Sequence, residues 1–207
     1  MKKNKQYELV IFDLDGVLVD ACEWHRLALN KALKSICDYE IPLEEHYKEY
    51  NGIPTKKKLQ KLSDKNIVLT KDHEKINKLK QKITIDIIEE NCFLREEKIQ
   101  LLSWIRENNM MTACFTNSIR KTANLMLKKT GVYGFFDVIL TNEDVKHPKP
   151  NPEGYFAVLD ILNVKPEKAI IIEDSPKGLE AAYASGCSVI KVINPNEVNI
   201  NLIKNKL

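Results

Sequence analysis

The sequence lacks any hydrophobic run long enough to cross a membrane, and it is poor in the residues that mark fibrous or disordered chains. No stretch approaches the roughly 20 apolar residues that a bilayer span needs. Glycine and proline number only 7 and 8, while 43% of the residues are hydrophobic. Collagen-like and intrinsically disordered chains are therefore excluded. A chain of 207 residues is long enough for one large or two small folded domains.

The cysteines and the charges also exclude several classes of protein. The five cysteines form an odd set with no CxxC pair and no zinc-like spacing, which favours free, partly buried thiols. The net charge of +3 is too small for a committed nucleic-acid binder. Residues 54–82 carry 10 lysines against 3 acidic residues, with the run Lys56-Lys57-Lys58 among them. A solvated helical face is favoured there over an anion-attracting surface.

The beginning of the chain does not resemble an export signal. Residues 1–5 are polar and basic, and the apolar run that follows at residues 7–12 is too short for the apolar region of a signal peptide. No small-residue cleavage site follows it. We therefore expect a cytoplasmic protein with neither a membrane nor a nucleic acid as its partner.

Hydrophobic periodicity predicts the order of helices and strands. Residues 7–12 form a short apolar run that ends in aspartates, as a buried parallel strand does. Apolar residues then recur at helical spacing from about residue 21 to residue 91, with a turn at residues 51–54. Beyond residue 92 the pattern alternates. Helices are predicted at 96–107, 118–129, 152–162 and 176–185, and strands at 111–115, 136–140, 169–172 and 187–193.

Strands that alternate with helices of about ten residues predict βαβ units and therefore an α/β fold. We expect a doubly wound parallel sheet covered on both faces and interrupted, after its first strand, by an all-helical insertion. In this division residues 1–19 and 92–207 form the core domain, and residues 20–91 form the inserted helical domain. Ligands of such sheets bind outside the carboxyl ends of the strands, so the residues just after each strand are the candidates for function.

Polar motifs follow four of the predicted strands or their connecting loops. Each by itself has an ordinary interpretation as a turn, a helix cap or a loop. Together they are hard to obtain by chance. The motifs are Asp13-Leu14-Asp15-Gly16-Val17, Thr116-Asn117-Ser118, Lys149-Pro150-Asn151-Pro152 and Glu173-Asp174-Ser175.

In this order and context the motifs resemble those of the haloacid dehalogenase superfamily, and the resemblance covers essentially the whole chain. The helical insertion resembles the small cap of the β-phosphoglucomutase-like branch. Residues 20–25, which end in His25, resemble the start of that cap. The turn Asn51-Gly52-Ile53 resembles its substrate-recognition loop.

The resemblance implies phosphoryl transfer through an aspartyl-phosphate. Asp13 would attack the phosphorus, and Asp15 would protonate the leaving alcohol and then activate water. Thr116 and the amides of Asn117 and Ser118 would hold the phosphoryl oxygens, and Lys149 would add a fixed positive charge.

Attack by a carboxylate on an anionic phosphate also requires a compensating cation. The resemblance implies Mg²⁺ held by Asp13, the backbone carbonyl of Asp15 and Asp174, with Glu173 as a further ligand or beside one. In the cap, Gly52 belongs to the expected substrate loop. His25 is either a surface or packing residue or a residue that acts in cap closure or in positioning Asp15, and both interpretations stay open.

Several activities of this superfamily can be compared with the sequence. True dehalogenases typically lack an aspartate at the position of Asp15. Phosphonatases of this cap class use a cap lysine, and none can be singled out among so many. The β-phosphoglucomutase loop reads Gly-Val-Ser-Arg, whereas this chain has Thr55 in place of the arginine. The loss of that arginine counts against a mutase, although a lysine at positions 56–58 could replace it as a point charge.

We therefore expect a Mg²⁺-dependent phosphatase that acts on a small phosphorylated metabolite, a sugar or polyol phosphate. A sugar-phosphate mutase is the alternative. A non-catalytic phosphometabolite-binding protein is disfavoured because every catalytic position is intact. The sequence does not indicate the oligomeric state, and a monomer is favoured.

Overall fold

A computed structural model describes residues 6–206 of the protein. The interpretation of residues 1–5 as unlike a signal peptide lies outside these described residues. Within residues 6–206 no helix has both the length and the apolar character that a membrane crossing requires.

The central feature is a sheet of five parallel strands in the order β3-β2-β1-β4-β5. The order runs outward in opposite directions from β1, which makes the carboxyl end of β1 a topological switch point. The predicted doubly wound α/β fold is confirmed. The strands are β1 (Leu9–Phe12), β2 (Met111–Phe115), β3 (Val138–Leu140), β4 (Ala169–Glu173) and β5 (Ser188–Lys191).

The chain divides into two compact units. One contains the residues up to Asp20 and those from Phe93 onward, and the other is Ala21–Cys92. The second unit is entirely helical. Its elements are α1 (Cys22–Cys37), the short α2 (Leu43–Glu45) with a π-helical turn at His46–Tyr50, α3 (Thr55–Asp64) and α4 (His73–Asn91).

The helical unit has its own hydrophobic core, to which Leu29, Leu33, Leu62 and Ile76 contribute fully buried side chains. Asn30 fixes the loop after α1, because its side-chain amide donates to the carbonyl of Ile41 and its Oδ1 accepts from the Ile41 amide. Eight of the ten lysines in residues 54–82 are exposed, as a solvated face predicts. Lys58 and Lys80 are the two buried ones.

In the first unit the sheet is covered by helices on both faces, so β1 and β4 are buried at every position. Leu9, Ile11, Phe115 and Ile171 share one hydrophobic cluster. The helix predicted at 96–107 and the strand predicted at 111–115, which is β2, have these bounds in the structure, so both predictions are confirmed. The helices of this unit are α5 (Glu96–Glu107), α6 (Arg120–Lys129), α7 (Glu153–Leu162), α8 (Pro176–Ala184) and α9 (Ile200–Lys204).

Helix α6 begins two residues later than the predicted start at residue 118, so Ser118 is not its N-cap. The N-cap position is Ile119, whose side chain forms no capping hydrogen bond, and the Glu143 carboxylate instead accepts from the Arg120 amide at 2.6 Å. The reason is that Ser118 is engaged elsewhere, by a hydrogen bond to Asp15.

Lys98 on α5 is a buried cation that anchors the chain before α9. Its side chain is 1% exposed, and its ammonium donates to the carbonyls of Pro195 at 2.5 Å and Val198 at 2.7 Å. Burial lowers the pKa of Lys98 to about 8. Lysine in an unfolded chain has a pKa near about 10.4.

We expect this group to make stability depend on pH. Between pH 8 and about 10.4 the unfolded chain binds more protons at Lys98 than the folded chain, so its contribution to the free energy of unfolding rises with pH over that window. Urea unfolding at several pH values measures the slope. Lys98→Met should remove this part of the slope and lower stability by about 1–3 kcal/mol, because two buried carbonyls lose their donor.

Lys121→Met is the matched control, because Lys121 is exposed on α6. Tyrosines and cysteines titrate in the same window, so the quantity that counts is the difference between each variant and the parent. Equal slopes for the parent and Lys98→Met would show that the assignment to Lys98 is wrong.

Candidate active site

The sheet brings the expected core residues together at one edge. Phe12 pairs with Cys114 on one side and with Ile172 on the other, so the residues at and just after the carboxyl ends of β1, β2 and β4 are neighbours. The loop before α7 adds Lys149. The expected residues gathered there are Asp13, Asp15, Thr116, Asn117, Ser118, Lys149, Glu173 and Asp174.

Lys149 lies between two carboxylates at the centre of this site. Its ammonium donates to Asp13 Oδ1 and to Glu173 Oε2, each at 2.7 Å. All three residues are buried, with exposed fractions of 2% for Lys149, 6% for Asp13 and 0% for Glu173. One positive charge is thus shared by two negative groups in a region from which water is largely excluded.

Burial and charge shift the pKa of each group. Burial, and after it the charge of Glu173, raises the pKa of Asp13 well above its usual value, against the opposing charge of Lys149. Burial disfavours the ammonium of Lys149, but Asp13 and Glu173 together raise its pKa well above the ordinary value. Burial also disfavours the Glu173 carboxylate, and the Lys149 charge and hydrogen bond nevertheless lower its pKa. The Lys149 ammonium thus favours the ionised form of both carboxylates, and at Glu173 its charge and hydrogen bond outweigh the effect of burial.

Glu173 is fixed by donors on both oxygens. Its Oε1 accepts from the amides of Asp174 and Ser175 at 3.1 Å each and from the Ser175 hydroxyl at 3.0 Å. Its Oε2 accepts from Lys149 and from the Tyr155 hydroxyl. A Cβ at position 178 would lie 2.0 Å from the Glu173 carboxyl carbon, so Gly178 leaves the space that this carboxylate occupies.

Asp15 has a different environment from Asp13. Its Oδ2 accepts hydrogen bonds from the Ser118 hydroxyl at 2.7 Å and the Thr116 hydroxyl at 3.2 Å. The Ser118 amide in turn donates to Thr116 Oγ1 at 3.0 Å. Thr116 and Ser118 therefore orient the Asp15 carboxylate, a contact that the motifs do not predict.

Asn117 holds the Lys149 loop through its side chain. Its Oδ1 accepts from the Lys149 amide and its Nδ2 donates to the Lys149 carbonyl, both at 3.1 Å. The Lys149–Pro150 peptide is cis. The side chain of Asn117 thus ties the end of β2 to the residue that carries the central charge, while the expected contact of its amide with phosphate stays a prediction.

Three carboxylates can share a metal ion. Asp13, Glu173 and Asp174 each offer an oxygen within 4.8 Å of the others. Asp174 Oδ1 is buried without a hydrogen-bond partner, and burial together with the charge of Glu173 raises the pKa of Asp174 to about 7. A divalent cation would satisfy that oxygen and stabilise the ionised form. A set of hard oxygen donors fits Mg²⁺.

His25 and Gly52 belong to the helical unit. His25 Nδ1 lies 3.3 Å from the ammonium of Lys80, which is 6% exposed. Gly52 has a φ of 72°, which lies in the left-handed region that glycine adopts readily, and it forms the turn before α3. Their roles toward a substrate stay predictions.

Two residues of interest lie outside the expected motifs. Lys80 falls on the buried stripe of α4 with Ile76, Thr84 and Ile87, and this i, i+4, i+8, i+11 spacing distinguishes it from the exposed lysines. Tyr155 lies beside Lys149 and Glu173 in the site. Because Tyr155 lies in an apolar helix, the sequence around it indicates only a core aromatic residue.

The residues of this site lie within a region that matches a known protein family. A sequence profile of the haloacid dehalogenase-like hydrolases matches residues 10–192. The chain belongs to this family. The resemblance to the haloacid dehalogenase superfamily, inferred from the motifs, is therefore confirmed.

Two relatives of this hydrolase are named as phosphatases. The phosphorylated carbohydrates phosphatase of Thermotoga maritima is 31% identical over 183 residues, which cover 86% of this chain and 82% of the relative. The fructose-1-phosphate phosphatase of Escherichia coli is 27% identical over 193 residues, which cover 91% and 97%. These matches confirm the expected enzyme class, a phosphoric monoester hydrolase of the superfamily.

A solved structure shows the same fold as this hydrolase. The β-phosphoglucomutase of Clostridium difficile superposes with a TM-score of 0.83 and 24% identity, and the match covers 97% of this chain and 96% of that one. At this identity the similarity shows a shared fold.

Gly16 offers a test of the candidate metal centre. A Cβ at this position would lie 2.2 Å from Asp174 Oδ2, and φ is 96°, a conformation that L side chains rarely adopt. We expect Gly16→Ala to lower the free energy of unfolding by about 1–3 kcal/mol through backbone strain. It should also displace the Asp174 carboxylate and weaken Mg²⁺ binding, measured as the rise in melting temperature during a Mg²⁺ titration.

Gly134→Ala is the control, because a Cβ there would meet no atom within 4 Å. It should leave the Mg²⁺ response as in the parent. A parental Mg²⁺ response in Gly16→Ala would count against Asp174 as a metal ligand.

Proposed function

We propose that the protein is a Mg²⁺-dependent phosphatase that hydrolyses a small phosphorylated metabolite, a sugar or polyol phosphate, through an aspartyl-phosphate. The observation that carries this proposal is the unequal environment of the two aspartates after β1. Asp13 contacts Lys149 and belongs to the carboxylate cluster. The Asp15 carboxylate is held by two hydroxyl groups instead.

In the first step Asp13 attacks the phosphorus, and the bond from phosphorus to the leaving oxygen breaks. Asp15 gives its proton to that oxygen, so the alcohol leaves neutral. Lys149 and the amides after β2 stabilise the negative charge that develops on the phosphoryl oxygens. Bound Mg²⁺, held by Asp13, Asp174 and the Asp15 carbonyl with Glu173 beside them, would supply further charge neutralisation.

In the second step water attacks the phosphorus of the aspartyl-phosphate. Asp15, now ionised, accepts the proton of that water, and the bond between phosphorus and Asp13 breaks. Inorganic phosphate is released and both aspartates return to their starting forms. The hydroxyl groups of Thr116 and Ser118 orient Asp15 through both steps.

The proposed substrate class rests on the names of two relatives. The relatives are named for phosphorylated carbohydrates and for fructose 1-phosphate. A screen of phosphate esters with Mg²⁺ tests this substrate class, and inactivity toward every sugar and polyol phosphate while other esters turn over would contradict it.

We propose the cytoplasm as the place of action, because none of the five cysteines, all within residues 6–206, forms a disulfide.

A sugar-phosphate mutase is the second candidate. Within the run of positions 56–58, Lys58 is 7% exposed while Lys56 and Lys57 are exposed. A buried ammonium near the start of α3 is the kind of group that could replace the missing arginine as a point charge. Adding glucose 1,6-bisphosphate to the screen distinguishes the two activities, because a mutase forms an isomerised sugar phosphate whereas a phosphatase releases inorganic phosphate.

We expect Asp13→Asn to abolish turnover while the fold stays intact. The amide is nearly isosteric with the carboxylate but cannot act as the nucleophile. Release of phosphate measures activity, and thermal unfolding checks the fold. Asp160→Asn, at an exposed position on α7, is the control. Activity within about tenfold of the parent would show that Asp13 is not the nucleophile.

Asp15→Asn should slow the two steps to different extents. With an alkyl phosphate, whose alkoxide leaves poorly without a proton, the first step should slow by about 10²-fold or more. With p-nitrophenyl phosphate the leaving group needs little protonation, so hydrolysis of the aspartyl-phosphate should become limiting. Rapid quench should then show a burst of p-nitrophenol. Equal slowing with both esters and no burst would assign Asp15 to organising the site rather than to proton transfer.

A further inference from the structure

Two aromatic rings enclose the Lys149 ammonium. Its Nζ lies 4.9 Å from the ring centre of Phe115 and 5.2 Å from that of Tyr155. The two rings pack edge to face at 5.0 Å with an interplanar angle of 86°. A Cβ at Gly154 would lie 2.1 Å from the Phe115 ring, so that glycine leaves the space in which the ring sits. The rings restrict the directions in which the ammonium can move.

The hydroxyl of Tyr155 contacts the partner of Lys149. A carboxylate only accepts hydrogen bonds, so the Tyr155 hydroxyl donates to Glu173 Oε2, at 3.1 Å. The same oxygen accepts from Lys149 at 2.7 Å. Tyr155 is fully buried, and no water is needed to satisfy its hydroxyl.

Because the Tyr155 hydroxyl and Lys149 both donate to Glu173 Oε2, the hydroxyl influences the position of the Lys149 ammonium. Each donor to Glu173 Oε2 compensates part of the negative charge on that oxygen, which lowers its attraction for the other donor. With the phenol in place, Lys149 is held at equal distances from Glu173 and Asp13. Without the phenol, Glu173 would draw the ammonium toward itself and away from Asp13, where the phosphoryl group is expected.

We propose that Tyr155 is a positioning residue that keeps the Lys149 ammonium directed toward the phosphoryl group on Asp13. The ring limits the path of the ammonium, and the hydroxyl moderates the competing pull of Glu173. Tyr155 itself touches no reacting atom. This inference rests on the proposed phosphatase function, because the phosphoryl group on Asp13 belongs to that mechanism.

The test compares Tyr155→Phe, which removes only the hydroxyl, with Tyr155→Leu, which also removes the ring. Tyr183→Phe is the matched control, because Tyr183 is 64% exposed on α8. With a substrate found in the ester screen, we expect Tyr155→Phe to lower kcat by about tenfold to a hundredfold and to leave KM within about threefold, since the lost interaction acts on the transition state. Tyr155→Leu should lose more, and Tyr183→Phe should match the parent.

Inhibition separates positioning from a general loss of packing. Orthovanadate adopts the geometry of the transferring phosphoryl group, whereas inorganic phosphate does not. Tyr155→Phe should raise the inhibition constant of orthovanadate by a factor similar to the fall in kcat and leave that of inorganic phosphate unchanged. Equal weakening of both inhibitors, or an unchanged kcat in Tyr155→Phe, would overturn the proposal.

A crystal structure of Tyr155→Phe gives a readout that does not depend on activity. We expect Lys149 Nζ to lie closer to Glu173 and farther from Asp13 than in the parent. An unmoved ammonium would overturn the role of the hydroxyl. A parent protein with no activity toward any phosphate ester would instead overturn the proposed function, and the position of the ammonium would still decide whether Tyr155 directs it.

Discussion

The shared ammonium of Lys149 is the interaction on which the rest of the site depends. Asp13 follows β1 and Glu173 is the last residue of the neighbouring strand β4. Both are buried, so their charges would repel each other without a cation between them. Removing one member of such a buried charged cluster lowers the free energy of unfolding by about 3–5 kcal/mol, because the remaining groups keep charges that are no longer compensated. Lys149 therefore stabilises the fold of this edge while it holds positive charge where phosphoryl transfer requires it.

Close packing around this charge depends on small residues. Gly16, Gly154 and Gly178 each lie where a Cβ would collide with a side chain of the site, namely Asp174, Phe115 and Glu173. The site therefore forms only when three separate segments of backbone approach it closely. Such preorganisation fixes the charges before a substrate arrives, which is the condition under which electrostatic stabilisation is strongest.

The helical unit is built on a different principle. Its helices enclose an apolar core, and two of its ten lysines in residues 54–82 take buried positions. Composition predicted the exposed lysines of this segment correctly because most of its helical surface faces solvent. It could not identify Lys58 and Lys80, since burial of a lysine depends on which helix face packs against its neighbours. Substrate choice in the proposed function is expected to depend on such local differences.

The α/β fold, the bounds of α5 and β2, the family and the residues at the strand ends could all be predicted from the sequence. Periodicity and motif order are local properties, and parallel pairing then places those ends together. Three features are visible only in the folded protein: α6 begins after Ser118, Thr116 and Ser118 hold Asp15, and Tyr155 donates to Glu173. Each of these contacts joins residues that are distant in sequence, and their geometry follows from the packing of whole elements rather than from any local pattern.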